Sequence, residues 1–303
     1  MYENRLIKNV HDKEIIKYYY LNLTIDELIE KLHSLKFNFI SDKSFVPFNA
    51  QLKDYIGLVD NENNKWIAKQ IDKNELFEHI LFELAYYIDF MMQTLASPSI
   101  LVTFNNQYFK ISKIVLNGIQ IGSYNYIENP FLKILANDLI NRWLFFDEDR
   151  NPNNYMVIHN SKNEPLIITI DYNKVDLKST EMKIKKDDKK FGWFRQEKTR
   201  FLTLLKPSNY ENLTIDYFEY RLNLMMKMKR EKLKKICIYL FKKYFKDYNK
   251  KAEIIVSNIL KRREYINDYF RKWFKEFKEK DKNGNSKYND LGKTFFKIYK
   301  NKT

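Results

Sequence analysis

The stretch DEDRNPNNYMV, residues 147–157, puts three acids, one arginine and three asparagines into its first eight positions and then passes into strand-forming residues. Asn and Pro in that density suit a surface turn. The same residues suit a site that grips a metal and phosphates, because carboxylates and amide oxygens are hard donors. The flanking sequence frames the choice. Upstream, Asn129 and Pro130 predict a helix start, Asn as the cap and Pro at the first position, and Leu132, Leu135, Leu139, Trp143 and Leu144 mark one apolar face. Downstream, YMVI (155–158), the polar turn HNSKNEP and LIITID (166–171) predict a hairpin that ends on Asp171.

Further out, residues 24–34 open with Thr24 and Glu27 at capping-box spacing and continue with helical apolar spacing. Residues 45–71 hold DYIGLVD, NENN and KWIAKQI, a strand, a polar turn and a second strand. A helix is expected over 75–92, another strand pair over 99–116, and a connector over 117–129. Beyond about residue 180 the pattern is helical: Phe218, Leu222 and Met225 share one face, Leu233, Ile236, Leu240 and Tyr244 another, and Ile259, Ile266, Phe270, Trp273 and Phe277 a third. The Met-rich LNLMMKMK reads as core filler. The order predicts an α+β chain with a β-rich N-lobe over 1–122 and a mainly helical C-lobe over 123–303.

Composition narrows the classes. Hydrophobic residues make up 44% of 303, enough for a substantial core, while six Gly and six Pro disfavour repetitive β architectures and a phosphate loop built from glycine. Cys237 is the sole cysteine, so no intrachain disulfide forms, and the four histidines show no zinc spacing. The charged N-terminus has no apolar leader core and no run of about 18 apolar residues occurs, so a cytoplasmic protein without a transmembrane segment is expected. Net charge is +15, and residues 181–303 carry 35 Lys+Arg against 16 Asp+Glu. Such a region can attract nucleic acid, an anionic membrane or an acidic protein. Lysine outnumbers arginine 44 to 10, which also fits solvated helix faces.

Phosphoryl transfer asks for few protein groups, since positioning and charge neutralisation dominate. A strand lysine holds the nucleotide phosphates and an acid on the next helix holds the lysine. A loop aspartate faces the acceptor hydroxyl, and an asparagine with a second aspartate holds Mg²⁺. The chain supplies these in order: Lys69 in WIAKQ, Glu78 on the next helix, Asp149 and Asn154 five apart in DRNPNN, and Asp171 at the end of the hairpin. Each alone is weak. A strand-end lysine is usually solvated, and DRNPNN alone is a turn. Their order and their intervening elements carry the reading.

On these motifs the region 44–176 resembles the HipA-like kinases and, more distantly, the phosphatidylinositol 3- and 4-kinase branch. NAQLKDYIGLVDNENNKWIAKQ (49–70) is similar to the HipA-like G-A-Q-x-K segment leading to the ATP lysine, with Asn49 where glycine is usual. EHILFELA (78–85) is similar to that family's E-x-x-x-x-x-L-A helix, which favours Glu78 over Glu75 or Glu83. LINRWLFFDEDRNPNNYMV resembles its helix entering the catalytic loop. The resemblance implies a two-lobed protein-kinase-like fold using ATP and Mg²⁺, with Asp149 as catalytic aspartate, Arg150 bracing the loop, and Asn154 and Asp171 as metal ligands. It implies Lys69 as the phosphate lysine, with Gln51 and Lys53 in the phosphate-covering segment and Ser44 nearby. Departures are Asn151 where histidine is common after D-R, Tyr172 and Asn173 after the metal aspartate, and no glycine between Ser44 and Tyr55.

The resemblance thus implies a serine/threonine-protein kinase in a toxin–antitoxin or defence setting. An antitoxin partner and a tRNA-associated protein substrate follow from the family, and the basic C-terminal region suits contact with nucleic acid. Two alternatives stand beside it: a phosphoinositide-type lipid kinase seated on anionic membrane, and a pseudokinase acting as a nucleotide- or nucleic-acid-binding module.

Overall fold

The computed structural model describes residues 12–40, 55–145, 147, 152–178 and 214–278. The chain divides into two compact units: Arg5–Tyr124 with Asn153–Asn173, and Asn125–Pro152 with Lys174 onward. The first is β-rich and the second helical, which is the α+β plan expected. The chain leaves the β-rich unit after Tyr124 and returns to it over Asn153–Asn173, so the hairpin that the sequence reading put in the C-lobe groups with the β-rich unit.

In the β-rich unit, helices α1 (Lys13–Tyr18) and α2 (Ile25–Ser34) lead into strands β1 (Phe37–Ile40), β2 (Tyr55–Asp60) and β3 (Lys65–Ile71). Helix α3 (Leu76–Met91) follows, then β4 (Ser99–Phe104) and β5 (Gln107–Lys113). The five strands form one antiparallel sheet in the order β1-β2-β3-β5-β4. The capping box at α2 is present: Thr24 Oγ1 accepts from the Glu27 N–H, and Glu27 accepts from the Thr24 N–H at 2.7 Å. The β2–β3 turn is closed by Asp60, whose carboxylate accepts from the backbone of Glu62 and Asn64 and from Trp66 Nε1 at 2.8 Å. Trp66 is fully buried, so this acid both shapes the turn and satisfies the indole.

A second sheet, β6 (Ile119–Gln120), β7 (Tyr155–His159) and β8 (Pro165–Thr169), runs in the order β6-β7-β8. The connector expected over 117–129 therefore hides a short strand. Gly118 sits at its entry, where a Cβ would meet Val115 Cγ1 at 2.7 Å and Met156 Cε at 3.0 Å. The hairpin is fixed within its unit by an apolar cluster of Tyr19, Leu21, Leu95, Val115, Met156, Ile158, Leu166 and Ile168. Thr169 also exchanges backbone hydrogen bonds with the segment after α3, donating to Leu95 and accepting from Ser97.

The helical unit comprises α4 (Phe131–Phe145), α5 (Asp216–Met226), α6 (Arg230–Lys242) and α7 (Tyr248–Lys278). Helix α4 begins at Phe131, one residue later than the sequence predicts, and the Asn129–Pro130 peptide is cis. Phe218, Leu222, Met225, Leu233, Ile236, Leu240, Ile259 and Ile266 are buried as expected, and Met225 and Met228 fill core. The side chains of Leu139, Trp143, Phe270, Trp273 and Phe277 lie outside the described residues. Arg142 on α4 meets Asp138 at 3.1 Å and Asp147 at 3.3 Å. Arg262 donates to the carbonyl of Leu144 at 2.9 Å, an acceptor in the last turn of α4, and to that of Asp176 at 2.7 Å. No helix among the described residues is long and apolar enough to cross a membrane.

Candidate functional site

The site lies within the β-rich unit and begins with strand register. Lys69 on β3 stands directly opposite Lys110 on β5, so alternation puts both ammonium groups on one face of the sheet. Like charges so placed repel, and a neighbouring anion is what makes the pair tolerable. Lys110 finds one: its Nζ donates to Asp171 Oδ1 at 3.0 Å and to Asn173 Oδ1 at 2.6 Å. Asn173 Nδ2 in turn donates to Asp171 Oδ2 at 2.7 Å.

Asp171 is held from both sides. Ile170 donates its N–H to the Asn154 carbonyl at 3.1 Å, one ladder step beyond the Tyr155–Thr169 pair. Asn154 and Asp171 are thereby brought to the same end of the hairpin, with Asn154 buried. On the other side, the Tyr172 hydroxyl donates to Asp89 Oδ2 at 2.7 Å, and both groups are buried on or against α3. Asp171 itself has φ 58°, left-handed backbone that Asp tolerates better than most residues but still at some cost. It lies two residues beyond β8 rather than in the strand that the sequence assigned to it.

Helix α3 contributes two residues from its first turn, Glu78 and His79, both half-buried. His79 reports on the whole neighbourhood. Burial lowers its pKa from 6.5 to about 4; the charges of Lys110 and Lys69 act in the same direction, and Glu78 and Asp171 oppose them. One imidazole therefore senses Lys69, Glu78, Lys110 and Asp171 together. Its Nδ1 is buried and has no hydrogen-bond partner among the described residues.

Of the residues picked out from the sequence, Lys69, Glu78, Asn154 and Asp171 converge on this neighbourhood. Asp171 pairs with Lys110, a cation not among those residues, at 3.0 Å. Glu83, the alternative partner, is buried and committed to structure: it accepts from the Leu101 N–H at 2.8 Å and from the Tyr87 hydroxyl at 3.0 Å, and lies 2.8 Å from His33 Nε2. Gln51, Lys53, Asp149 and Arg150, with Ser44 and Asn49, lie outside the described residues. Sequence reading missed Lys110 and His79. Lys110 occupies a half-buried alternate position of an edge-adjacent strand, indistinguishable from a solvent-face lysine without the register.

The donor chemistry suits a hard cation and a polyanion. Asn154 and Asp171 offer amide and carboxylate oxygens, which fit Mg²⁺ rather than a soft metal. Two opposed lysines and an unpartnered imidazole nitrogen fit a phosphate chain. Among the described residues, no group of three or more His, Cys, Asp or Glu is gathered at one point.

Together these features define an α+β chain with a lysine–carboxylate site at the end of a hairpin. Among solved structures, it is similar to that of a proinflammatory kinase, CtkA, from Helicobacter pylori, with a TM-score of 0.49 and 14% identity over 78% of this chain and 95% of that one. No family model and no curated protein matches the sequence.

Proposed function

We propose that the chain is an ATP- and Mg²⁺-dependent kinase of a HipA-like kind, with a two-lobed protein-kinase-like fold, that transfers the γ-phosphoryl group to a Ser or Thr hydroxyl of a protein. The observation that carries this reading is the register pair Lys69–Lys110 beside Asp171, with Asn154 one ladder step away. Lys69 binds and orients the nucleotide phosphates from the sheet. Asn154 and Asp171 hold the metal, which when bound neutralises charge on the β- and γ-phosphates. Glu78 stands on the first turn of α3 to orient Lys69 once nucleotide draws the two together. Asp149 takes the proton of the acceptor hydroxyl, Arg150 braces that loop, and Gln51 and Lys53 cover the phosphates. The protein acceptor, rather than a lipid, rests on the HipA-like motifs.

The test is phosphoryl transfer from γ-labelled ATP to protein by wild type, Asp149→Ala and Asp171→Ala. Each substitution is expected to lower transfer by roughly 10²-fold or more, because charge developing in the transition state loses its compensation. Equal activity in all three proteins would overturn the kinase reading and leave a nucleotide-binding module.

A further inference from the structure

Both oxygens of the Asp171 carboxylate are occupied by donors of the chain itself. Lys110 Nζ takes Oδ1 at 3.0 Å and Asn173 Nδ2 takes Oδ2 at 2.7 Å, while Asn173 Oδ1 returns to Lys110 at 2.6 Å. A three-residue ring of hydrogen bonds closes on this one acid. The Lys110 side chain is 13% exposed and that of Asp171 33%, so water screens the contact only in part. The carboxylate is also fixed in place: its backbone is left-handed, Ile170 is bound to Asn154 and Tyr172 to Asp89. It cannot move away from Lys110 easily, whereas the lysine has a four-carbon stem and can swing.

We infer that Lys110 is a tethered cation that holds the Asp171 carboxylate until a divalent metal displaces it, and that the displaced ammonium then binds a nucleotide phosphate beside Lys69. The inference rests on the reading of Asp171 as a metal ligand. A divalent ion entering at Asp171 must take Oδ1 from the ammonium. The freed ammonium remains anchored on β5, facing Lys69 on the adjacent strand β3, where two cations side by side need an anion. A phosphate chain supplies it. Metal and nucleotide therefore assist each other: metal alone must displace Lys110 from its carboxylate, and nucleotide gives the displaced group a partner. Asn173 completes the device by releasing both of its contacts when the lysine leaves.

The test is Mn²⁺ binding to the full chain without nucleotide, followed by electron paramagnetic resonance, in wild type, Lys110→Met, Lys110→Arg and Asp171→Asn. Lys110→Met is expected to bind Mn²⁺ roughly tenfold more tightly than wild type, within the ordinary range of coupling between sites. Lys110→Arg keeps the cation and is expected to stay near wild type, which separates loss of charge from a general loosening of β5. Adding a non-hydrolysable ATP analogue is expected to tighten Mn²⁺ binding in wild type more than in Lys110→Met. Should Lys110→Met bind Mn²⁺ no more tightly than wild type, while Asp171→Asn weakens binding, the inference fails and the metal-site reading survives. Should Asp171→Asn leave binding unchanged, or no protein bind Mn²⁺, both fail.

Discussion

The buried arginines of the helical unit and the lysine pair of the β-rich unit are used in opposite ways. In the helical unit Arg142, Arg221 and Arg262 are each 2% exposed or less, and their guanidinium groups are committed to acids, an amide and backbone carbonyls. In the β-rich unit Lys69 is exposed, and Lys110 faces it and pairs with Asp171. Arginine's rigid fork suits the first task, since several fixed acceptors can be satisfied at once. Lysine's flexible stem suits the second, where a single ammonium meets a partly exposed carboxylate. The difference teaches that net charge alone says little about function: the +15 of the chain includes cations buried in the fold and cations that stay exposed.

Three experiments bear on that contrast, in decreasing order of effect. Removing Arg142 leaves Asp138 and Asp147 buried without its charge, so Arg142→Ala is expected to lower stability by about 3–5 kcal/mol in urea unfolding. A loss below about 1 kcal/mol would erase the distinction between the units.

The second concerns pH. His79 has a folded pKa of about 4 against 6.5, with burial as the first cause and Lys110 and Lys69 next. As pH falls, the unfolded chain takes up this proton first. The contribution is fully present above about pH 6.5 and is lost as pH falls through about 4. It amounts at most to about 3 kcal/mol. His79→Gln is expected to flatten the stability profile across that window, and an unchanged slope would contradict the placement of the imidazole against the two lysines. Nucleotide phosphate bound between those lysines is expected to raise the His79 pKa, which NMR titration of the imidazole reads directly.

The smallest effect is the most discriminating. Lys69→Met removes an exposed charge that faces another of the same sign, so folding stability is expected to stay within about 0.5 kcal/mol of wild type or to rise slightly. ATP affinity is expected to fall about tenfold in the same protein, the loss of one charge-assisted phosphate contact. A large loss of stability with unchanged affinity would make Lys69 a structural residue like Arg142.

Much of the architecture was legible because it is local. The Thr24–Glu27 capping box, the turn between β2 and β3, helix α3 and the hairpin 155–171 all follow from residues close in sequence. The two-residue strand β6 was not, because Ile119–Gln120 is too short to show alternation and gains its pairing only from β7. The site was half legible for the same reason. Spacing picked out Lys69, Glu78, Asn154 and Asp171, yet only the β3–β5 register reveals that Lys110 reaches Asp171. Asp147, which opens the stretch DEDRNPNN, is committed to Arg142 in the helical unit, five residues back on α4. Glu83 matches Glu78 in type and helix, and only burial against His33, Tyr87 and Leu101 separates a structural acid from a candidate site acid.

The most direct measurement is a crystal structure with a non-hydrolysable ATP analogue and Mg²⁺. Phosphates are expected in contact with Lys69 and Lys110, with the metal on Asn154 and Asp171 and the Lys110–Asp171 contact broken. Nucleotide bound elsewhere, or bound with the Lys110–Asp171 contact intact and no metal on Asp171, would contradict this arrangement.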